Sequence, residues 1–300
     1  MPKTSYKRYR LDQSPFYCLK SKRDLAKILQ VSQKRLESMT CFVESLYSEK
    51  DLLDSRKRKL LRLEKPESKL KHVHKRIEEL LKRIQLPDYV HAPRKGCSYI
   101  SNAKAHIDSK VVRSLDIEQY FRSTPARSVY WFFHKRMKCS QDIAGILTKL
   151  STYKDHLPTG SPLSPLLSYF SHIDMWEAIE NIVNGYGCSL TVYMDDVTIS
   201  GENVSDKLIW EVKKQFHRFG LRSNKKKEKS YFNARRACEI TGVVIKNGEL
   251  KLPNRQHLKM HIAKQEIRIE KNSERITSLA RKLQGLESQR KQIEKSNLNL

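Results

Sequence analysis

Two adjacent aspartates stand between two runs of β-forming residues, in Leu190-Thr191-Val192-Tyr193-Met194-Asp195-Asp196-Val197-Thr198-Ile199-Ser200-Gly201. β-Branched and aromatic residues favour extended structure, and a glycine closes the segment. Side chains alternate across a strand, so within one extended run neighbouring carboxylates cannot share a face. A tight turn can bring both to one place, and the segment is read as a β-hairpin with Asp195 and Asp196 at its tip. Two like charges held close require a cation between them, and hard carboxylate oxygens suit Mg²⁺. Taken alone, an Asp-Asp turn joining two surface strands is the plainer reading. The rest of the chain has to decide.

At 300 residues the chain can bury a proper core, as one large domain or two. Its formal charge of +26 would be self-repulsive without a polyanion to meet it. Nucleic acid is therefore the leading partner, and a basic membrane-surface protein the rival. No apolar run of transmembrane length occurs, and Met1-Pro2-Lys3-Thr4-Ser5-Tyr6-Lys7-Arg8 lacks the apolar core of a signal peptide. A soluble, cytoplasmic protein with no membrane partner is expected. The six cysteines are far apart with no C-x-x-C pair, which predicts reduced structural thiols.

Apolar spacing predicts two short helices over residues 21–48, with Val31-Ser32 as turn and N-cap between them. They form a packing element or a small helix-turn-helix. Arg56 to Pro66 mixes cations with aliphatics and reads as a hairpin with a charged face. A helix over 70–84 follows, stopped by Pro87, then a strand over 111–115 and helices near 129–133 and 143–150. Residues 162–181 read as one further helix with Pro162 and Pro165 near its start. Strands are expected over 237–245 and 249–252. Beyond Pro253 aromatics vanish, Lys and Arg outnumber Glu, and Ile262, Ile269, Ile276, Leu279, Leu283, Leu286 and Ile293 recur at roughly heptad spacing. That pattern predicts a basic helix pair or coiled coil.

A catalytic metal at Asp195 and Asp196 needs a third carboxylate. Val111-Val112-Arg113-Ser114-Leu115-Asp116 supplies one at the end of a β-branched run. Three such groups can hold two ions roughly 3.5–4 Å apart, an arrangement that stabilises attacking and leaving oxygens in phosphoryl displacement. Asp116 capping the next helix is an equally weighted reading of that residue alone.

The order Asp…Pro-x-Gly-x-Pro-x-Ser-Pro…Tyr-x-Asp-Asp resembles the palm of a reverse transcriptase. Asp116 opens the first motif, His156-Leu157-Pro158-Thr159-Gly160-Ser161-Pro162-Leu163-Ser164-Pro165 the second, and Tyr193 to Asp196 the third. Gly220 to Lys227 resembles the motif that follows. Asn102-Ala103-Lys104-Ala105-His106 matches the Asn-Ala-x-x-His signature of retron reverse transcriptases, and Ile240-Thr241-Gly242 is similar to their Val-Thr-Gly.

The resemblance implies an α+β right-hand polymerase of fingers, palm and helical basic thumb with N-terminal helices. Its divisions would be 1–55 (N-terminal helical region), 56–252 (fingers and palm) and 253–300 (thumb). It implies RNA-directed DNA synthesis that copies part of a cognate structured non-coding RNA from a guanosine 2′-hydroxyl, giving branched RNA–DNA in an anti-phage system. Implied partners are that RNA, its DNA product, dNTPs and an effector or toxin protein. Implied cofactors are two Mg²⁺ ions, with Mn²⁺ an alternative, at Asp116, Ile117, Asp195 and Asp196. Phe121, five positions after Asp116, corresponds to the aromatic under the incoming sugar that excludes a 2′-hydroxyl. Tyr120 is read as core. Arg58, Lys59 and Arg62 are candidates for the triphosphate, and Lys227 for pyrophosphate departure. Thr159 stands where relatives carry a glutamine that lines the nucleotide pocket, which places nucleotide affinity and fidelity in question. Asn102, His106, Ile240, Thr241 and Gly242 are expected to organise structure or RNA contact, not chemistry. The rival readings are a group II intron or diversity-generating reverse transcriptase, and a non-catalytic RNA-binding scaffold that restrains an effector.

Overall fold

The computed structural model describes residues 7–54, 59–234 and 236–298, with side chains throughout these except at 52–54 and 59–61. In chain order the elements are α1 (Lys22–Ile28), α2 (Gln33–Cys41), β1 (Tyr47–Asp54), β2 (Lys59–Pro66), α3 (Ser68–Leu81), β3 (Val90–Ala92), α4 (Tyr99–Lys104), β4 (Val111–Asp116), α5 (Ala126–Trp131), α6 (Gln141–Ser151), α7 (Ser164–Ser171) and α8 (Ile173–Gly185). They continue with β5 (Ser189–Tyr193), β6 (Asp196–Gly201), α9 (Asp206–Arg218), β7 (Lys229–Tyr231), β8 (Cys238–Ile240), β9 (Val243–Lys246), β10 (Glu249–Lys251), α10 (Asn254–Ile269) and α11 (Ser273–Asn297). The class is α+β, as expected. Among the described residues no helix is long and apolar enough to cross a membrane.

Two compact units divide the chain. The first comprises Met1–Lys95, Ile117–Asn181 and Glu211–Ser223. Its core is aromatic and aliphatic: Phe16, Leu25, Leu36, Leu70, Ile77, Phe132, Phe133, Phe170, Trp176 and Phe216 are at most 1% exposed. The rings interlock edge-on and stacked, Phe16 on Phe133, Phe132 on Phe170 and Trp176 on Phe216, an arrangement aromatic quadrupoles favour. The expected pair of N-terminal helices is present, and Ser32 caps α2 by accepting from the Arg35 amide at 3.2 Å. α2 ends at Cys41, earlier than its apolar spacing suggests, and the chain then enters β1. β1 pairs antiparallel with β2 from Tyr47↔Pro66 to Asp54↔Lys59, so the segment expected to form a hairpin over Arg56–Pro66 is, from Lys59, one strand of a hairpin whose other strand lies earlier in the chain, and Arg56–Arg58 lie outside the described residues.

The single helix expected over 162–181 is two, broken at His172, which has φ −122°. The Ser168 carbonyl, due to accept from the His172 amide, is instead taken by the Tyr120 hydroxyl at 2.9 Å and His172 Nδ1 at 3.0 Å. The His172 amide turns to Tyr169 O, and the α-helical ladder stops there.

The second unit comprises Gly96–Asp116, Ile182–Trp210 and Asn224–Leu300. Its strands β5, β6, β4 and β7 lie in that order, all antiparallel neighbours. A separate sheet runs β8-β9-β10. The strand expected over 237–245 is a hairpin: Thr241 and Gly242 have φ of 45° and 82° and connect β8 to β9 as a two-residue loop. Asn247-Gly248, at φ 52° and 77°, makes the next one. Positive φ at both loop positions matches the right-handed twist of the strands they join. Ile100, Val112, Ile240, Val243, Ile245 and Ile293 are among the residues of one buried cluster that these elements share with α10 and α11. The basic tail is thus a helix pair. Ile293, Leu283 and Leu286 turn inward, whereas Ile269 is 80% exposed.

Replacing Ile293 with alanine is expected to cost about 2–5 kcal/mol in denaturant unfolding, the usual range for emptying a packed aliphatic site. Ile269→Ala should stay within about 0.5 kcal/mol of the parent.

Candidate active site

In the second unit, β5 and β6 form a hairpin in which Tyr193 pairs with Asp196 across a two-residue turn of Met194 and Asp195. Met194 has φ 57°, a region that side-chain-bearing residues seldom adopt and that costs of order 1–3 kcal/mol. That conformation lets Asp195 stand in the turn while Asp196 opens β6, so two consecutive carboxylates escape strand alternation. In the register of β4 and β6, Asp116 is directly opposite Asp196. Three carboxylates from three chain positions therefore meet at one end of the sheet.

The sheet's two faces differ chemically. Thr191, Tyr193, Asp196, Thr198 and Ser200 share one face with Ser114 and Asp116, by register. Leu190, Val192, Val197, Ile199 and Leu115 take the other. The carboxylates thus crown a hydroxyl-rich face, and Thr191, Thr198 and Ser200 on it are buried. A cleft of about 430 Å³ opens here, lined by Ser114, Tyr193, Asp196, Lys227, Lys229 and Thr241 among others.

Burial pushes Asp195 above the usual carboxylate range, and Asp116 adds to the push. Asp196 is raised to about 6, first by burial and then by the neighbouring charges of Asp195 and Asp116. Lys227, from the 3-10 turn Lys225–Lys227, donates to Asp116 Oδ2 at 2.5 Å. Burial works against its charge, yet the hydrogen bond to Asp116 and the pull of all three aspartates leave its pKa raised. The backbone fixes the same pairing, with the Asn224 amide donating to Asp116 O at 2.7 Å.

The donor set fits a divalent cation: three carboxylates converge, the charge of Asp116 helps raise Asp195 and Asp196, and the Lys227 ammonium sits on Asp116. Among the described residues no group of three or more His, Cys, Asp or Glu is already arranged around a metal position. Asp116 faces Lys227 instead.

The two signature segments meet in this unit as well. Asn102, on α4, donates from Nδ2 to Thr241 Oγ1 at 3.3 Å, and Thr241 donates to Tyr99 O at 3.0 Å. Those bonds hold a β-branched residue at positive φ. Ile240 is buried beneath it, and Gly242 completes the turn. His106 is 1% exposed, with Nδ1 2.6 Å from Ser200 Oγ and Nε2 2.7 Å from Thr191 Oγ1.

In the first unit, Ile117 follows the first motif with its side chain buried, so only its backbone could serve a cation. Tyr120 is a core residue, and Phe121 beside it is half-buried with its ring stacked at 6.3 Å. The Thr159 hydroxyl accepts from the Glu64 amide at 3.1 Å and donates to Arg62 O at 2.9 Å. It stitches the Pro158–Pro165 element to β2, and a ligand there meets a hydroxyl already bonded. Gly160 completes the stitch: a Cβ on it would come within 2.7 Å of Glu64 O. Glu64 itself is buried, accepting from Arg122 at 2.6 Å and bonded to His156 Nε2 at 3.1 Å. Arg62 is paired with Glu49 and Asp51 across the hairpin. Arg58 and the Lys59 side chain lie outside the described residues.

Sequence reasoning missed Thr191, Ser200, Ser114, Lys229, Glu64, His156 and Arg122. The first three were signalled by the period-two alternation of hydroxyl and aliphatic residues on both sides of the aspartates. No local signal marks Glu64, whose partners are more than fifty positions away.

Comparison with known proteins adds three findings. The family model for reverse transcriptase (RNA-dependent DNA polymerase) matches residues 56–247. The chain is 26% identical over 276 residues to the Retron Se72 reverse transcriptase of Salmonella heidelberg, covering 87% of this chain and 72% of that protein. It is 32% identical over 110 residues to the Retron Ec86 reverse transcriptase of Escherichia coli, covering 37% and 34%.

The raised Asp196 predicts a sign for pH dependence without divalent cation. Its folded pKa, about 6, exceeds its ordinary 3.8, so its contribution to stability is full below about pH 4 and is lost as pH rises through 6. His74 and His172, both lowered to about 4 by burial, act in the opposite sense. The difference in unfolding free energy between the parent and Asp196→Asn isolates the first effect. It should change by on the order of 2–3 kcal/mol between pH 4 and 7, the parent losing ground.

Proposed function

Because the chain belongs to the reverse transcriptase (RNA-dependent DNA polymerase) family and is of the retron type, we propose that it copies part of a cognate structured non-coding RNA, starting from a 2′-hydroxyl of that RNA. The product would be a branched molecule in which single-stranded DNA stays joined to RNA, made for anti-phage defence beside an effector protein. The enzyme is an RNA-directed DNA polymerase, a nucleotidyltransferase. The observation that carries the reading is the register Asp116↔Asp196 with Asp195 in the adjoining turn, three charge-starved carboxylates at one sheet end.

Asp116, Asp195 and Asp196 would hold two Mg²⁺ ions, or Mn²⁺, with the Ile117 backbone beside them. Those ions supply activation of the attacking hydroxyl and neutralisation of the triphosphate. Lys227, whose ammonium donates to Asp116 Oδ2, is the candidate cation for the departing pyrophosphate. In this reading 1–55 is the N-terminal helical region, 56–252 fingers and palm, and 253–300 the thumb, whose basic helices suit a nucleic-acid backbone. Asn102 and Thr241 secure the strained turn at the cleft and so present that wall to RNA. Phe121 is the sugar gate, and Arg58, Lys59 and Arg62 are the candidate triphosphate contacts. Arg62 must leave Glu49 and Asp51 to serve.

Asp195→Asn and Asp196→Asn should each abolish primer extension while RNA binding persists. Retained polymerisation by both would defeat the metal assignment. Phe121→Ala should incorporate ribonucleotides alongside dNTPs in single-nucleotide extension, and an unchanged dNTP preference would remove the gate. RNA co-purified with the enzyme should carry covalently branched DNA that survives proteolysis and is released by debranching. Unbranched RNA alone would favour the scaffold reading.

A further inference from the structure

The catalytic turn carries its strain at Met194, in a two-residue loop whose flanking strands could relieve it by sliding or splaying. A strained loop keeps its shape only when its surroundings over-determine it. Here the restraint lies four residues from each aspartate. Thr191 on β5 and Ser200 on β6 occupy diagonal positions on one face, since Thr191 opposes Thr198 and Ser200 opposes Ser189. The His106 ring spans that diagonal, one nitrogen to each hydroxyl at 2.6 and 2.7 Å. Ser109 donates to Ser200 Oγ at 2.8 Å. Each hydroxyl can donate to or accept from the ring nitrogen it faces, so the neutral imidazole is held at both ends whichever nitrogen carries the proton.

The spacing makes the device specific. A one-residue slip of β5 against β6 would carry Thr191 to the opposite face and strand the ring between an aliphatic residue and a hydroxyl. His106, Thr191 and Ser200 are all buried, so no water stands ready to replace a bond lost between them.

We propose that His106 is a positioning residue for the polymerase reaction: a cross-strand clasp that locks the register of the β5–β6 hairpin and thereby holds Asp195 and Asp196 in their strained turn. This rests on the reading of that hairpin as catalytic. His106 touches neither nucleotide nor metal; it acts through Thr191 and Ser200. The histidine of the Asn-Ala-x-x-His segment thus serves the carboxylates from within the protein, while its asparagine serves the neighbouring Thr241 turn.

The test uses the full chain and three readouts: kcat and KM for dNTP in primer extension, melting temperature, and amide hydrogen exchange in divalent-free buffer. Thr191→Val keeps shape and removes one end of the clasp. It should lower kcat about tenfold with KM within about twofold, because small misplacement of reacting groups acts on turnover. Exchange should rise over 190–200 and not elsewhere. His106→Phe combined with Thr191→Val and Ser200→Ala removes the ring and both its hydroxyl partners together, which should restore stability because the one partner left over, the Ser109 hydroxyl, is part-exposed and can bond water. Its kcat should remain low although its melting temperature recovers. Recovery of kcat together with melting temperature, or wild-type kcat in Thr191→Val, would overturn the proposal. Should the triple variant not fold, Thr191→Val decides alone. A parent enzyme that fails to extend primers would defeat the catalytic reading instead, and the localised exchange would still judge the clasp.

Discussion

Mutual repulsion among Asp116, Asp195 and Asp196 is the constraint around which the second unit is organised. Three carboxylates at one end of a sheet are unfavourable without a cation, and the raised pKa values of Asp195 and Asp196 record that cost. The chain sustains the arrangement with directional bonds: a ladder that sets Asp116 against Asp196, a strained turn that places Asp195, and an ammonium on Asp116. Together these fix three acidic groups at one point of the sheet. The same logic explains why the face beneath the aspartates carries hydroxyls. Aliphatic residues there could not bond His106, and the turn would have nothing stiff below it.

The first unit solves a related problem with a buried acid. Glu64 on β2 gathers Arg122, His156 and the Thr159 amide around one carboxylate. The Pro158–Pro165 element is thus fixed against the hairpin strand by side-chain and backbone bonds at once. Thr159 gains a meaning there that differs from a shortened glutamine. Its hydroxyl bridges the backbone of two β2 residues, and its substitution would alter the hairpin's seat before it altered any nucleotide contact.

Much of this was legible in the chain. The hairpin at 190–201 could be read because composition, glycine and paired charges all act locally. Asp116 could be read because a β-branched run leads into it. The helix pair of the tail followed from its apolar spacing, although the exposure of Ile269 did not. Illegible features share one cause, remote partners. β1 carries Glu49, Lys50 and Asp51 and looks like no strand until β2 is beside it. The run 237–245 is interrupted only by Gly242, the one local sign of a turn, and Asn102 and the Tyr99 carbonyl, some 140 positions earlier, hold Thr241 in it. The Asn247-Gly248 loop was readable and marks the next hairpin in the usual way.

The break between α7 and α8 reaches further than a kink. Tyr120 takes the Ser168 carbonyl that helix continuity would claim, and it also accepts from Trp176 Nε1 at 3.2 Å. Its phenol is therefore anchored at two points in the core, one on each side of the interruption. Phe121 is the next residue along the backbone. A side chain that discriminates between sugars by bulk alone is useful only if it cannot lean aside. On the proposed reading of Phe121 as the sugar gate, the interrupted helix would supply that rigidity from beneath, and selectivity would be inherited from a missing turn of hydrogen bonds in a neighbouring rod.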